Sequence, residues 1–181
     1  MFMNWWKKLD DRYGDNDIWQ FIKFNIIGQS ISLLQLILVN LLPFVFDGLT
    51  IKLPPCLRLI FDPQKLPGIE SRYVIDGVVT WAYVLPFFLS NLLANIYGYF
   101  INMKKTFRGK GTREGLILFF AVMFILILFT TWVQGVIASA LNQTSLAYAS
   151  RTIAALAAGL IQFAVVYPLE KYVLFKEKTN E

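Results

Sequence analysis

The side chains in this chain that are equipped for chemistry are amides and bases, and they converge on Asn91–Arg108, NLLANIYGYFINMKKTFR. At helical spacing Asn91, Asn95, Gly98 and Asn102 share one face, while Leu92, Leu93, Ile96, Phe100 and Ile101 mostly cover the others. Lys104, Lys105 and Arg108 follow within two turns. Amides pair with hydroxyls and fixed cations with phosphate, so the stretch suits the polar head of an anionic, amphipathic lipid. The same pattern also fits amides that tie helices together and bases that set topology or touch anionic lipid. The residue types alone leave both readings open.

A second amide face lies upstream, with Asn25, Gln29 and Ser32 at i, i+4 and i+7. Lys23 sits where its stem reaches the near interface, and Gly28 permits close approach of another helix. Gln162 adds an amide near the C-terminus, and Glu170 is the acid most nearly inside an apolar run. Pairing with Lys171 or another interfacial base is its expected fate, with proton coupling the alternative. The candidate ligand-binding set is therefore Lys23, Asn25, Gln29, Asn91, Asn95, Asn102, Lys104, Lys105, Arg108, Glu170 and Lys171.

Other chemistries find no support. The chain has no histidine and one cysteine, Cys56, which excludes a His-based triad, a His-ligated zinc site and an intrachain disulfide. No nucleotide-binding loop, metal-ligand spacing or pair of carboxylates is present, so neither an enzyme nor a cofactor is expected, and no nucleic-acid partner.

These side chains need a membrane scaffold to position them. Of 181 residues, 56% are hydrophobic and only 16% charged, beyond what a soluble core of this size needs. The expected fold is an all-α integral membrane domain over residues 1–181, with four transmembrane helices at about 22–42, 78–101, 116–140 and 152–173. Residues 1–17 read as an interfacial helix, and Asp17 with Gln20 as a capping box. Pro43 and the following FDG signal the first exit, into a Pro-rich outer loop, 43–77, whose Leu57–Phe61 run dips toward the interface. Trp81 and Tyr83 are expected as interface anchors and Pro86 as a kink. The third span is the most apolar. The fourth opens on Ala154, Ala155, Ala157, Ala158 and Gly159, a candidate homodimer interface.

Twelve of the seventeen Lys and Arg residues fall on one side of this arrangement, five of them in the short loop Lys104–Glu114. That places the N- and C-termini in the cytoplasm and the long loop outside. Spans two and four end alike, Asn102…Phe107-Arg108 and Glu170…Phe175-Lys176, which suggests two repeated helical hairpins related about an axis along the membrane normal.

The chain resembles the GtrA-like proteins, small four-span membrane proteins associated with bacterial surface-polysaccharide and teichoic-acid glycosylation. The entry FIKFNIIGQSIS matches their first-span pattern through Phe21, Lys23, Phe24, Gly28 and Ser32. The exit GYFINMKKTF matches their second-span motif through Tyr99, Asn102, Lys104 and Phe107, with Gly98, Met103 and Lys105 departing from it. The resemblance implies translocation of a polyprenyl-phosphate-linked monosaccharide, such as undecaprenyl-phosphate glucose or N-acetylglucosamine, from the inner to the outer leaflet of the bacterial cytoplasmic membrane. On that reading Lys23, Lys104 and Lys105 recruit the phosphate, and Asn25, Gln29, Asn95 and Asn102 line the route. The rival from another class is a non-catalytic anchor that recruits a cytosolic glycosyltransferase through the basic loop and the N-terminal helix. A small-molecule exporter would need an acid well inside the membrane.

Overall fold

The computed structural model describes residues 10–14, 16–66, 68–107 and 112–174. Four helices are long and apolar enough to cross a membrane, so this is a multi-pass, all-α membrane protein. They are α1 (Asp17–Phe46), α2 (Trp81–Ile101), α3 (Arg113–Leu141) and α4 (Ser150–Leu169). Both α2 and α4 run on into one π-helical turn, Asn102–Thr106 and Glu170–Leu174. Each helix packs on the next in sequence, and α4 closes the ring against α1. Lys171 meets Asp17 at 3.0 Å, so the start of α1 and the end of α4 share one end of the bundle.

Several boundaries differ from expectation for identifiable reasons. The first helix is capped by Asn16, whose side chain accepts from Ile18 N and Trp19 N, and not by Asp17. It also runs through Pro43 to Phe46: the missing N–H costs one hydrogen bond near the helix end without stopping the helix. Similarly α2 passes through Pro86 in its second turn. Tyr83 is no interface anchor, because it is buried and donates to Gly135 O at 2.6 Å.

The Pro-rich segment between α1 and α2 packs as a cap. Ile75 pairs with Val78 across Asp76-Gly77, both at positive φ, a two-residue hairpin turn of the kind Asp-Gly favours. Leu53, Phe61, Leu66 and Tyr73 are buried in one core with Val39, Tyr83, Phe87, Ala138 and Ala154. Within the Leu57–Phe61 run, Phe61 therefore turns inward while Leu59 and Ile60 stay exposed. A second core, around Phe24, Tyr99, Phe119, Met123, Ile127 and Val166, fills the opposite half of the bundle. Ala154, Ala155 and Ala158 are buried within the chain, so this part of the small-residue face packs inside the protomer and is not free to form a dimer.

Candidate functional site: an amide layer and a half-open cavity

Between the two apolar cores lies a layer of buried polar side chains to which all four helices contribute. Asn91 is its hub: its Oδ1 accepts from Gln35 Nε2 and from Gln162 Nε2, each at 2.7 Å, and its Nδ2 donates to Gln134 Oε1 and to Phe87 O. Asn95 Nδ2 donates to Gln162 Oε1 at 3.0 Å, and Gln162 Nε2 reaches Thr130 Oγ1 at 3.0 Å. Bonds across helices inside a membrane contribute on the order of 1–2 kcal/mol each, and they fix rotational register because no water is at hand to replace them.

Beside this layer a cavity of about 490 Å³ extends along α1, α2 and α4 toward the end where the π-turns lie. Asn25, Gln29, Ser32 and Gln35 of α1 line it, with Asn95, Tyr99 and Asn102 from the second span and Gln162 and Glu170 from the fourth. Gly28 and Gly159 also face it: a Cβ on either would meet nothing within 4 Å. The close approach of helices occurs instead at Gly98, where an added Cβ would lie 2.7 Å from the terminal methyl of Ile31. The cavity rim runs along the seam between α1 and α4. Gln29 on one side and Leu156 and Leu160 on the other are exposed, Leu160 at 74%. An exposed leucine in a membrane span faces acyl chains, so the opening is lateral, toward lipid.

The expected site residues thus separate by what their side chains meet. Asn25, Gln29, Asn95 and Asn102 line the cavity, whereas Asn91 is fully buried behind it as a helix-tying amide. Lys23 does not reach the interface. It is 1% exposed and pairs with Asp10 at 2.8 Å, and the same Asp10 oxygen accepts from Trp19 Nε1. Lys171 is committed to Asp17. Lys104 and Lys105 are exposed on the π-turn that Asn102 opens. Arg108 and the first nine residues of the expected interfacial helix lie outside the described residues.

Glu170 departs most from expectation. It is fully buried on the cavity wall, and among the described residues neither carboxyl oxygen has a hydrogen-bond partner. Lys171 turns away to Asp17. The Asn102 side chain is near enough to influence the carboxyl but makes no hydrogen bond of normal geometry with it; its Oδ1 accepts from Thr106 Oγ1 at 3.0 Å. At the opposite end a smaller depression of about 160 Å³ is lined by Asn40, Glu70, Asn142 and Arg151.

Ser32, Gln35 and Gln162 line the cavity but lie outside the expected set, and of these only Gln35 is not singled out from the sequence at all. It follows Ser32 by three residues and so extends the Asn25, Gln29, Ser32 face by one turn. Gln134 was visible only as one polar residue in the most apolar span.

Comparison with protein-family models, with curated proteins and with solved structures finds no match. The likeness to GtrA-like proteins therefore rests on the motif residues alone.

Proposed function

We propose that this protein translocates a polyprenyl-phosphate-linked monosaccharide across the bacterial cytoplasmic membrane. The observation that carries the reading is the cavity. Its volume lies within the roughly 300–1,000 Å³ of small-ligand pockets, enough for a sugar and far too small for a long isoprenoid. Amides on three of the four spans face it, suited to sugar hydroxyls, and its lateral mouth leaves the isoprenoid in lipid. Lys104 and Lys105, two and three residues beyond Asn102, take the phosphate at the cytoplasmic rim. Lys23 and Lys171 serve instead as internal ion pairs, which narrows the phosphate-binding set to the exposed turn.

The rest of the topology follows the same reading. The basic end, with both termini, is cytoplasmic. The two hairpins are repeats, supported by the equivalent π-turns that begin at Asn102 and Glu170. Association of two protomers would use faces other than Ala154, Ala155 and Ala158.

The test is movement of a labelled lipid-linked sugar by the purified protein in liposomes. Intact protein is expected to flip it and the Asn95→Leu/Asn102→Leu variant to lose this. Unchanged flipping by the variant rejects the amide-lined route, and inactivity of the intact protein rejects the transport reading.

A further inference from the structure

Among the described residues the cavity wall contains one carboxyl and no cation, and this limits what the cavity accepts. Glu170 lies there fully buried with both carboxyl oxygens unpaired. Most buried polar groups in proteins have partners, and a carboxyl left open on the wall of a ligand-sized cavity, unlike one enclosed between helices, is accessible to a ligand that supplies the missing donors. Among the described residues the neighbouring bases are engaged elsewhere or stand outside: Lys23 with Asp10, Lys171 with Asp17, Lys104 and Lys105 exposed on the rim. A phosphate placed against Glu170 would find no counter-ion there and an acceptor that an anion cannot satisfy. A positively charged donor placed there would meet two acceptor oxygens in a water-poor site, where a charge-assisted bond is strongest.

We propose that the headgroup taken by this cavity carries a basic amine as well as a phosphate, with the ammonium on Glu170 and the phosphate at Lys104 and Lys105. The inference rests on the reading of the cavity as a headgroup site and narrows its ligand to a zwitterionic class. The amides of Asn25, Asn95 and Gln162 then hold the uncharged polar part between the two ends. Two sources share this chemistry: a prenyl-phosphate-linked amino sugar, and a phospholipid with a primary amine in its headgroup.

The experiment measures binding to the full-length protein in detergent by calorimetry. Its probes are short-chain prenyl-phosphate glucose, its free 2-amino counterpart, the N-acetylated form and short-chain phosphatidylethanolamine beside phosphatidylcholine. The free amine is expected to bind on the order of tenfold or more tighter than the hydroxyl or N-acetyl forms, the range for a hydrogen bond to a charged group. Glu170→Gln is expected to erase that preference, so that the variant binds the amine and hydroxyl sugars alike. This substitution keeps the side-chain volume and removes an unpaired buried carboxyl, so it should fold; Glu170→Ala, expected to behave alike, is the second variant. Equal binding of the amine and hydroxyl sugars, or a preference that survives both substitutions, overturns the proposal. Binding of phosphatidylethanolamine alone, lost in both variants, keeps the amine site and overturns the sugar reading. Binding of no probe overturns both.

Discussion

At the scale of single residues, the amides divide by where their polar atoms go. Asn91 spends its oxygen and nitrogen on three other helices, so Asn91→Leu strands Gln35, Gln162 and Gln134 at once. The expected loss is about 1–2 kcal/mol for each interhelical bond, read as a lower thermal midpoint in detergent. Gln29 sits exposed at the cavity mouth. Gln29→Leu should leave the midpoint unchanged and weaken ligand binding, and an equal midpoint drop in the two variants would refute the division. Gly159→Leu separates the cavity from the fold in another way: the added side chain enters open space, so transport should fall with no loss of stability. The helical faces bearing these amides could be read from spacing alone. Spacing does not say which amide faces a cavity and which faces another amide, because both are simply non-lipid faces. Assigning Glu170 to a pairing with Lys171 failed for a related reason: adjacent residues on a helix point about 100° apart, and Asp17 of α1 held the lysine.

At the scale of elements, span number was legible because hydrocarbon thickness demands a run of roughly 20 apolar residues per crossing and the chain shows four such runs, while the helix ends depended on contacts invisible in a hydropathy pattern. The helical turn at Asp10 is an example. It docks on α1 by placing a carboxylate against the buried ammonium of Lys23. Asp10→Asn leaves that cation without its counter-charge, at a cost of about 3–5 kcal/mol, whereas Asp10→Asn combined with Lys23→Met should recover most of it. A double-mutant cycle by thermal unfolding checks this, and additive losses would show that the pair is not coupled. The hairpin of the Pro-rich segment was equally unseen, although Asp76-Gly77 between Val-Ile and Val-Val is a standard signal for one. Lys52 donates to Asp76 at 2.6 Å; this bond, with the lysine charge, holds the Asp76 carboxyl below its ordinary range. The pair's contribution is therefore present above the unfolded-state pKa and is lost as pH falls through the depressed folded value. The protection of the Val74–Val79 amides, taken as exchange relative to the intrinsic rate at each pH, should fall on acidification through that window, and Asp76→Asn should remove this change in protection. Because the pair is solvent-exposed, the effect is confined to the hairpin.

At the scale of the whole molecule, the protein is two apolar cores separated by a polar layer, with the cavity opening sideways between α1 and α4 and the Pro-rich segment capping the end away from the π-turns. An amide layer at this depth fixes how the four helices are rotated against one another, and the unfilled space beside α1 is left where Gly28 and Gly159 supply no side chain. The packing is indifferent to which leaflet is inner, so orientation follows from charge: the basic π-turn end should lie in the cytoplasm and the Pro-rich cap outside. The chain carries its own reporter for this, since its one cysteine, Cys56, is exposed on that cap. A membrane-impermeant maleimide should label Cys56 in intact cells once any outer barrier is made permeable, and Lys105→Cys in a Cys56→Ser background should react only after the cytoplasmic membrane is opened. The reverse pattern would put Lys104 and Lys105 outside. Phosphate would then be met at the outer leaflet, and the direction of transport argued from the basic rim would invert.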